Sequence, residues 1–496
     1  MTSSWWPCSK PRQPPRVPTD TVVPVGFFDD TIIFRTFTIY NMFVYDEVLD
    51  VEQLHDGMTR LVSRPGWNKL GARLRRAVDG NGFEHHIPES FSRDRPAVDF
   101  STEDHSDTRV QDHAVACKLP RAPTDGNPAV VCDPSDFKPL ICGPGVPFYM
   151  SDYLNADKPQ LGLRVLPFKD ATVVVVHWIH MAFDAIALGD ILKAWRLVLE
   201  GREDEIPEPL PATDYPLAEY GTAPKERHLL ADVHLKMSGM LAWVARNSWG
   251  LLMSPRQCRM LCIPAAFWKK LREDALGELR REGSQDAWVS EGDIVLAWFS
   301  RLALAHYDKN SVAANAPVNI QQILELRSRM PDRFPADRPF LGNAIAFMID
   351  LMPIRDALTK PLSQVASSIR RALTAQSTRE QCEAYGALVR EDTRNRAPPF
   401  FGSSGMHLLL YSNWSKARLF DTDLGAATKG GSGCTSAGRH KIAMPRYIQT
   451  IQGPYEFPDG IIVVGKDALE NYWISTYRLD GLWPMMEKVI RDEWCL

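Results

Sequence analysis

Strand-like and helix-like segments alternate along this sequence, and that alternation predicts an α/β fold. Two further observations support it. Hydrophobic residues make up 45% of the chain and charged residues 24%, the balance of a protein with a core to bury. At 496 residues the chain is also too long for one ordinary core, so two halves of similar size are expected.

Phe34 to Tyr40 alternates as a strand does, and Asp50 to Arg76 has the apolar spacing of a helix. Pro, Gly and Asp interrupt the stretch from Ser101 to Gly145, which predicts short strands and loops. Gly162 to Leu166 and Ala171 to Trp178 read as two strands joined by a turn at Pro167 to Asp170, the second apolar enough to be buried. Asp184 to Leu199 is helical and stops before Gly201. From Glu203 to Ala223, Pro207, Pro209, Pro211 and Pro216 lie among acids with no periodicity, the pattern of a linker. The expected domains are therefore 1–202 and 224–496, with 203–223 crossing between them. In the second half, Lys225 to Leu241 reads as a continuous helix with polar faces, and Ala265 to Arg281 and Asp293 to His306 as further helices. Val318 to Leu326, Ala344 to Met352, His407 to Ser412 and Gly460 to Val464 read as strands. No segment of 20 to 50 residues repeats, so a solenoid or propeller is not expected.

The net charge is −4 and the cations are scattered, so no basic face points to nucleic acid or an anionic membrane. A small-molecule partner fits better. Met1 to Pro18 lacks the apolar run of a secretory signal, and the most apolar stretch, Ala171 to Leu188, carries His177, His180 and Asp184 in its middle. A cytoplasmic protein is expected, with no membrane span. The nine cysteines stand singly, without a CxxC pair, so neither a disulfide framework nor a zinc or other metal site is expected.

His180-Met181-Ala182-Phe183-Asp184 has the form HxxxD where a buried strand turns into a helix. An imidazole titrates near neutrality and can take a proton from an attacking hydroxyl and give it up later. The alternative is a core histidine bonded to a carbonyl, and the motif alone does not choose between the two. A second copy, His228-Leu229-Leu230-Ala231-Asp232, falls in the expected polar helix, where the pair reads as surface neighbours. His177, inside the strand, reads as packing. Lys429-Gly430-Gly431-Ser432-Gly433 lacks the ending of a phosphate cradle and reads as a surface loop.

Four segments together resemble the BAHD acyltransferases, particularly their fungal, trichothecene acetyltransferase-like branch. Gly66 to Leu74 is similar to that branch's N-terminal helix region, and His180 to Asp184 to its HxxxD. Leu326-Arg327-Ser328-Arg329 followed by Phe340-Leu341-Gly342-Asn343-Ala344 resembles its Arg-containing strand and GN turn. Ser412-Asn413-Trp414 ahead of Asp423-Leu424-Gly425 resembles its S-x-W segment and DFGWG motif, here decayed to Asp-Leu-Gly-Ala-Ala. The glycine that usually follows HxxxD is Ala185, which narrows the space beside the histidine.

The resemblance implies two chloramphenicol-acetyltransferase-like domains with a channel between them. It implies acyl-CoA, acetyl-CoA first, as co-substrate with no permanently bound cofactor. A hydroxylated terpenoid, alkaloid or polyketide (or an amine) would accept the acyl group, and the enzyme would work as a monomer. In the implied roles His180 is the general base. Trp414 and Ser412 lie near the oxyanion or the pantetheine arm, and Asp184 pairs with Arg327 away from the substrate. Asp423 and Gly425 support the structure, while Lys269 and Lys270 are candidates for the CoA phosphates. Two other readings stay open: a condensation-type domain acting on carrier-bound substrates, against which Ile179 stands where those domains carry a second histidine, and a catalytically silent homologue.

Overall fold

Thr172–Ile179 is buried along its whole length, central in its sheet with a strand on each side and its apolar residues in the core. Phe37–Tyr45 and Leu161–Pro167 both pair with it antiparallel, and both are buried throughout. A strand covered on both faces is mostly apolar, which is why the run of four valines carries no alternation. The structure is a computed structural model that describes residues 13–253, 255–283, 288–429, 441–454 and 459–494.

Three sheets organise the chain. The first runs in the order Tyr447–Pro454, Phe37–Tyr45, Thr172–Ile179, Leu161–Pro167, Asp99–Thr102. The second runs Ile345–Pro353, Pro317–Glu325, His407–Asn413, Gly460–Lys466, Tyr472–Leu479, Arg256–Ile263, Ala129–Cys132. A third, of Thr21–Pro24, Phe83–Ile87 and Arg73–Arg76, is small. Each large sheet thus holds one strand from the other half of the chain: Tyr447–Pro454 pairs with Phe37–Tyr45 over eight positions, and Ala129–Cys132 edges the second sheet. Helices Val51–Val62 and Ala185–Leu199 share the first sheet's core, while Ala265–Arg281, Glu291–Leu304 and Leu362–Gln376 share the second's.

Two expected helices are corrected. The helix from Asp50 stops at Val62, and Trp67–Gly71 is a 3-10 turn followed by the strand Arg73–Arg76. Pro65 and Gly66, the latter at φ 77°, break the helical path. The segment from Lys225 makes one 3-10 turn at Ala231–Val233 and becomes α-helical only at Met237. Two of its backbone N–H groups go to distant partners: Leu229 N donates to Gln381 Oε1 at 2.8 Å and Leu235 N to the Phe400 carbonyl at 2.7 Å. The Pro-rich segment 203–223 is laid tightly on the second half. Leu217 and Tyr220 are buried, Leu210 N donates to the Pro339 carbonyl at 2.8 Å, and Gly221 N donates to Glu383 at 2.7 Å.

Candidate active site

The buried strand Thr172–Ile179 delivers His180 to its end, where the His180 N–H donates to the Phe37 carbonyl at 2.9 Å. Trp178 closes the turn from beneath, donating its indole N–H to the Phe183 carbonyl at 2.9 Å while the two rings stack. Asp184 then caps the helix Ala185–Leu199, its Oδ1 accepting from Ala187 N at 3.0 Å. His180 is therefore held between a strand end and a helix start, both set by local sequence.

Asp184 has no oxygen left for the imidazole. Arg327, in a turn just past the strand Pro317–Glu325, donates from both terminal nitrogens to its two oxygens at 2.9 and 3.0 Å, and Ala344 N donates at 2.9 Å. Arg327 also donates to the carbonyls of Phe340 and Gly342 at 3.1 and 3.0 Å. In this bidentate pair Asp184 is buried and fully hydrogen-bonded and Arg327 is mostly covered, the condition under which an ion pair holds structure together.

The His180 ring lies on Phe34, centroids 4.2 Å apart and planes within 20°. Its Nδ1 edge is buried and takes no hydrogen bond from another residue. Burial lowers its pKa below the ordinary histidine value; its own carbonyl, Asp184 and Asn343 pull the other way. The base form is thus favoured near neutrality, and Nε2 is the nitrogen left toward the cavity that His180 lines. Asn343 donates from Nδ2 to the His180 carbonyl at 2.9 Å and to Asp29 Oδ1 at 2.8 Å. Burial pushes Asp29 up to about 6, against the opposing pull of Lys69 and the Asn343 hydrogen bonds.

The cavity, about 340 Å³, lies between the two large sheets. Ala185, Ile186, Ile323, Leu324, Ile345 and Ile462 give its wall an apolar part, and Glu325, Arg329 and Lys416 add charged groups to the lining. Ser412 and Trp414 face it, but the Trp414 indole N–H is already committed to Ser412 Oγ at 2.8 Å, which leaves the Ser412 O–H as the free donor of that pair. Gln322 and Gln452, on strands of opposite sheets, line it with buried amide atoms that have no partner among the described residues. Arg370 donates to Asp293 at 2.7 Å on the same wall, and its guanidinium sits 4.7 Å from the Trp288 ring.

Other residues singled out in the sequence lie elsewhere. Lys269 pairs with Glu470, and neither it nor Lys270 lines this cavity. Asp423 Oδ1 accepts from the N–H groups of Gly425 and Ala443 at 2.9 and 2.8 Å, and a Cβ on Gly425 would run into the Lys441 carbonyl, so this loop shapes the fold. His177 is core, its pKa lowered to about 4 by burial. His228 is not a surface neighbour of Asp232: it is buried and stacked on Phe401, while Asp232 is exposed and pairs with Arg227. Of the glycine-rich segment only Lys429 lies within the described residues. Asp29, Phe34, Gln322 and Gln452 were not legible from motif or spacing, since each matters through a neighbour far away in sequence.

No family model matches the chain. Acetyltransferase adrJ of Penicillium rubens is 31% identical over 492 residues, covering 97% of this chain and 98% of that protein. A Penicillium decumbens protein named transcriptional regulator calD is 35% identical over 495 residues, covering 97% and 98%. Among solved structures, F. graminearum TRI101 complexed with coenzyme A and deoxynivalenol superposes with a TM-score of 0.66 at 14% identity, covering 95% of this chain and 98% of that one.

Proposed function

The chain belongs to the fungal acyl-CoA-dependent acyltransferases of the BAHD family, enzymes of secondary metabolism, and on that premise we propose that His180 is its general base. The observation that carries the proposal is the division of labour at the turn. Asp184 is saturated by Arg327, Ala344 and Ala187, while the His180 ring stands on the cavity wall with its pKa lowered. An acid so employed cannot orient the imidazole as in a serine-protease triad; it holds the turn.

In the proposed reaction His180 Nε2 takes the proton of an acceptor hydroxyl as its oxygen attacks the thioester carbonyl of acyl-CoA, acetyl-CoA first. A tetrahedral oxyanion forms, and the Ser412 O–H, anchored by Trp414, is the donor placed to meet it. Collapse breaks the carbon–sulfur bond, and the imidazolium returns its proton to the CoA thiolate. The apolar part of the wall, with the two unspent amides beside it, suits an oxygenated acceptor such as a hydroxylated terpenoid, alkaloid or polyketide. The crossover at 203–223 between halves 1–202 and 224–496, and action as a monomer, belong to the same reading. The test is CoA release from acetyl-CoA with a panel of hydroxylated fungal metabolites. Turnover lost in His180→Ala supports the reading; turnover by no panel member under conditions where a related acetyltransferase works would favour the silent homologue.

A further inference from the structure

Building on that reading of His180, we infer that Asp29 is a positioning residue for the catalytic imidazole and acts through Asn343. Asp29 and Asn343 are each 1% exposed although 314 residues apart. Asp29 Oδ1 accepts from both the backbone N–H and the side-chain amide of Asn343, at 2.7 and 2.8 Å, and the same amide nitrogen donates to the His180 carbonyl at 2.9 Å.

The chemistry of the three groups fixes their orientation. The carbonyl of His180 can only accept, and an ionised Asp29 can only accept, so the group between them must present two N–H bonds. Asn343 does so at the cost of leaving its own Oδ1 buried without a partner. Reversing the amide would satisfy nothing on this side and would set oxygen against oxygen twice. Asp29 therefore decides which way Asn343 points.

The consequence reaches the ring. The His180 carbonyl is among the groups that favour a proton on the ring, whose Nδ1 is buried, and Asn343 holds that carbonyl in place. With the proton on Nδ1, Nε2 is bare and can act as base. The segment that carries Asp29 also carries Phe34, which stacks on the ring, so two contacts from one short stretch set both the tilt and the tautomer of His180. The segment is tied down in turn: Phe28 N donates to the Tyr215 hydroxyl at 2.9 Å, and a Cβ on Gly26 would strike the Tyr215 ring. Asp29 does not line the cavity that His180 faces, so it acts on the ring from behind.

The experiment compares Asp29→Ala, Asp29→Asn and Asn343→Ala with wild type by steady-state kinetics across pH, and reads the His180 tautomer by imidazole nitrogen NMR on histidine-labelled protein. Asp29→Ala should lower kcat about tenfold or more while the KM for acetyl-CoA stays within about twofold, as misplacement of a base does. Its His180 spectrum should change from one tautomer to a mixture. Asp29→Asn keeps an oxygen that can face Asn343, and should recover a large part of kcat and the wild-type tautomer. Asn343→Ala should reproduce the Asp29→Ala spectrum. A wild-type tautomer and pH profile in a folded Asp29→Ala or Asn343→Ala protein would overturn the inference. If Asp29→Ala does not fold, an Asn343→Ala protein with an unchanged His180 spectrum still overturns it. Because the NMR readout needs no turnover, a wild type that transfers no acyl group would defeat the acyltransferase mechanism while leaving this inference to be judged on the tautomer alone.

Discussion

Arg327 grips Asp184 with two parallel hydrogen bonds of 2.9 and 3.0 Å across 143 residues of sequence, tying the turn that presents His180 to the opposite half of the molecule. Removing one partner strands a buried charge. Asp184→Ala and Arg327→Ala should each destabilise the protein by about 3–5 kcal/mol and lower activity by displacing His180. The double variant should lose far less than the sum. Additivity to within roughly 0.5 kcal/mol in a double-mutant cycle on thermal stability would show that the pair does not interact.

The two HxxxD copies should separate cleanly. His180→Ala should stay folded and lose at least about a hundredfold in turnover. His228 packs on Phe401 away from the cavity, so His228→Ala should cost about 1–3 kcal/mol of stability and leave kcat unchanged. Comparable loss of kcat in both folded variants would place the chemistry elsewhere.

The pH dependence follows from burial. Burial disfavours the imidazolium, so the pKa of His180 lies below the ordinary value of about 6.5, and the base form survives to lower pH than in a free histidine. At saturating substrates kcat should rise with pH through that lowered ionisation and level off at lower pH than a free histidine would give. A midpoint above the ordinary value, with chemistry limiting the rate, would contradict a buried neutral base.

Ser412 and Trp414 should contribute unequally. With the indole N–H spent on Ser412 Oγ, Ser412→Ala removes the free donor and should lower kcat by about a hundredfold with little change in KM for acetyl-CoA. Trp414→Phe loosens the serine without deleting its hydroxyl and should cost less. A larger kcat loss in Trp414→Phe than in Ser412→Ala would reverse their roles.

The His180 turn was legible in the sequence because its signals are local: a run of buried-strand residues, an N-capping aspartate three positions before the N–H it accepts, and a helix with apolar spacing. The pairing of Asp184 with Arg327 came only from the resemblance. Asp29 could not be read, because an aspartate gains its meaning here from Asn343 across the fold. Lys225 to Leu241 was misread for the same kind of reason. Its helical spacing is real, yet Gln381 and the Phe400 carbonyl draw two of its N–H groups away from helical partners. The two glutamine amides of the cavity are equally hidden in the sequence, since Gln322 and Gln452 sit on strands of different sheets and line one space only after both sheets form.

The exchange of strands between the two large sheets also dictates an order of events during synthesis. Phe37–Tyr45 has no neighbour on one side until Tyr447–Pro454 has left the ribosome, so the sheet that carries His180 waits, with an apolar edge bare, for almost the entire chain. Ala129–Cys132 waits likewise for Arg256–Ile263. Neither half can mature alone as it emerges, and the nascent polypeptide must be shielded from other unfinished copies until its last strands arrive.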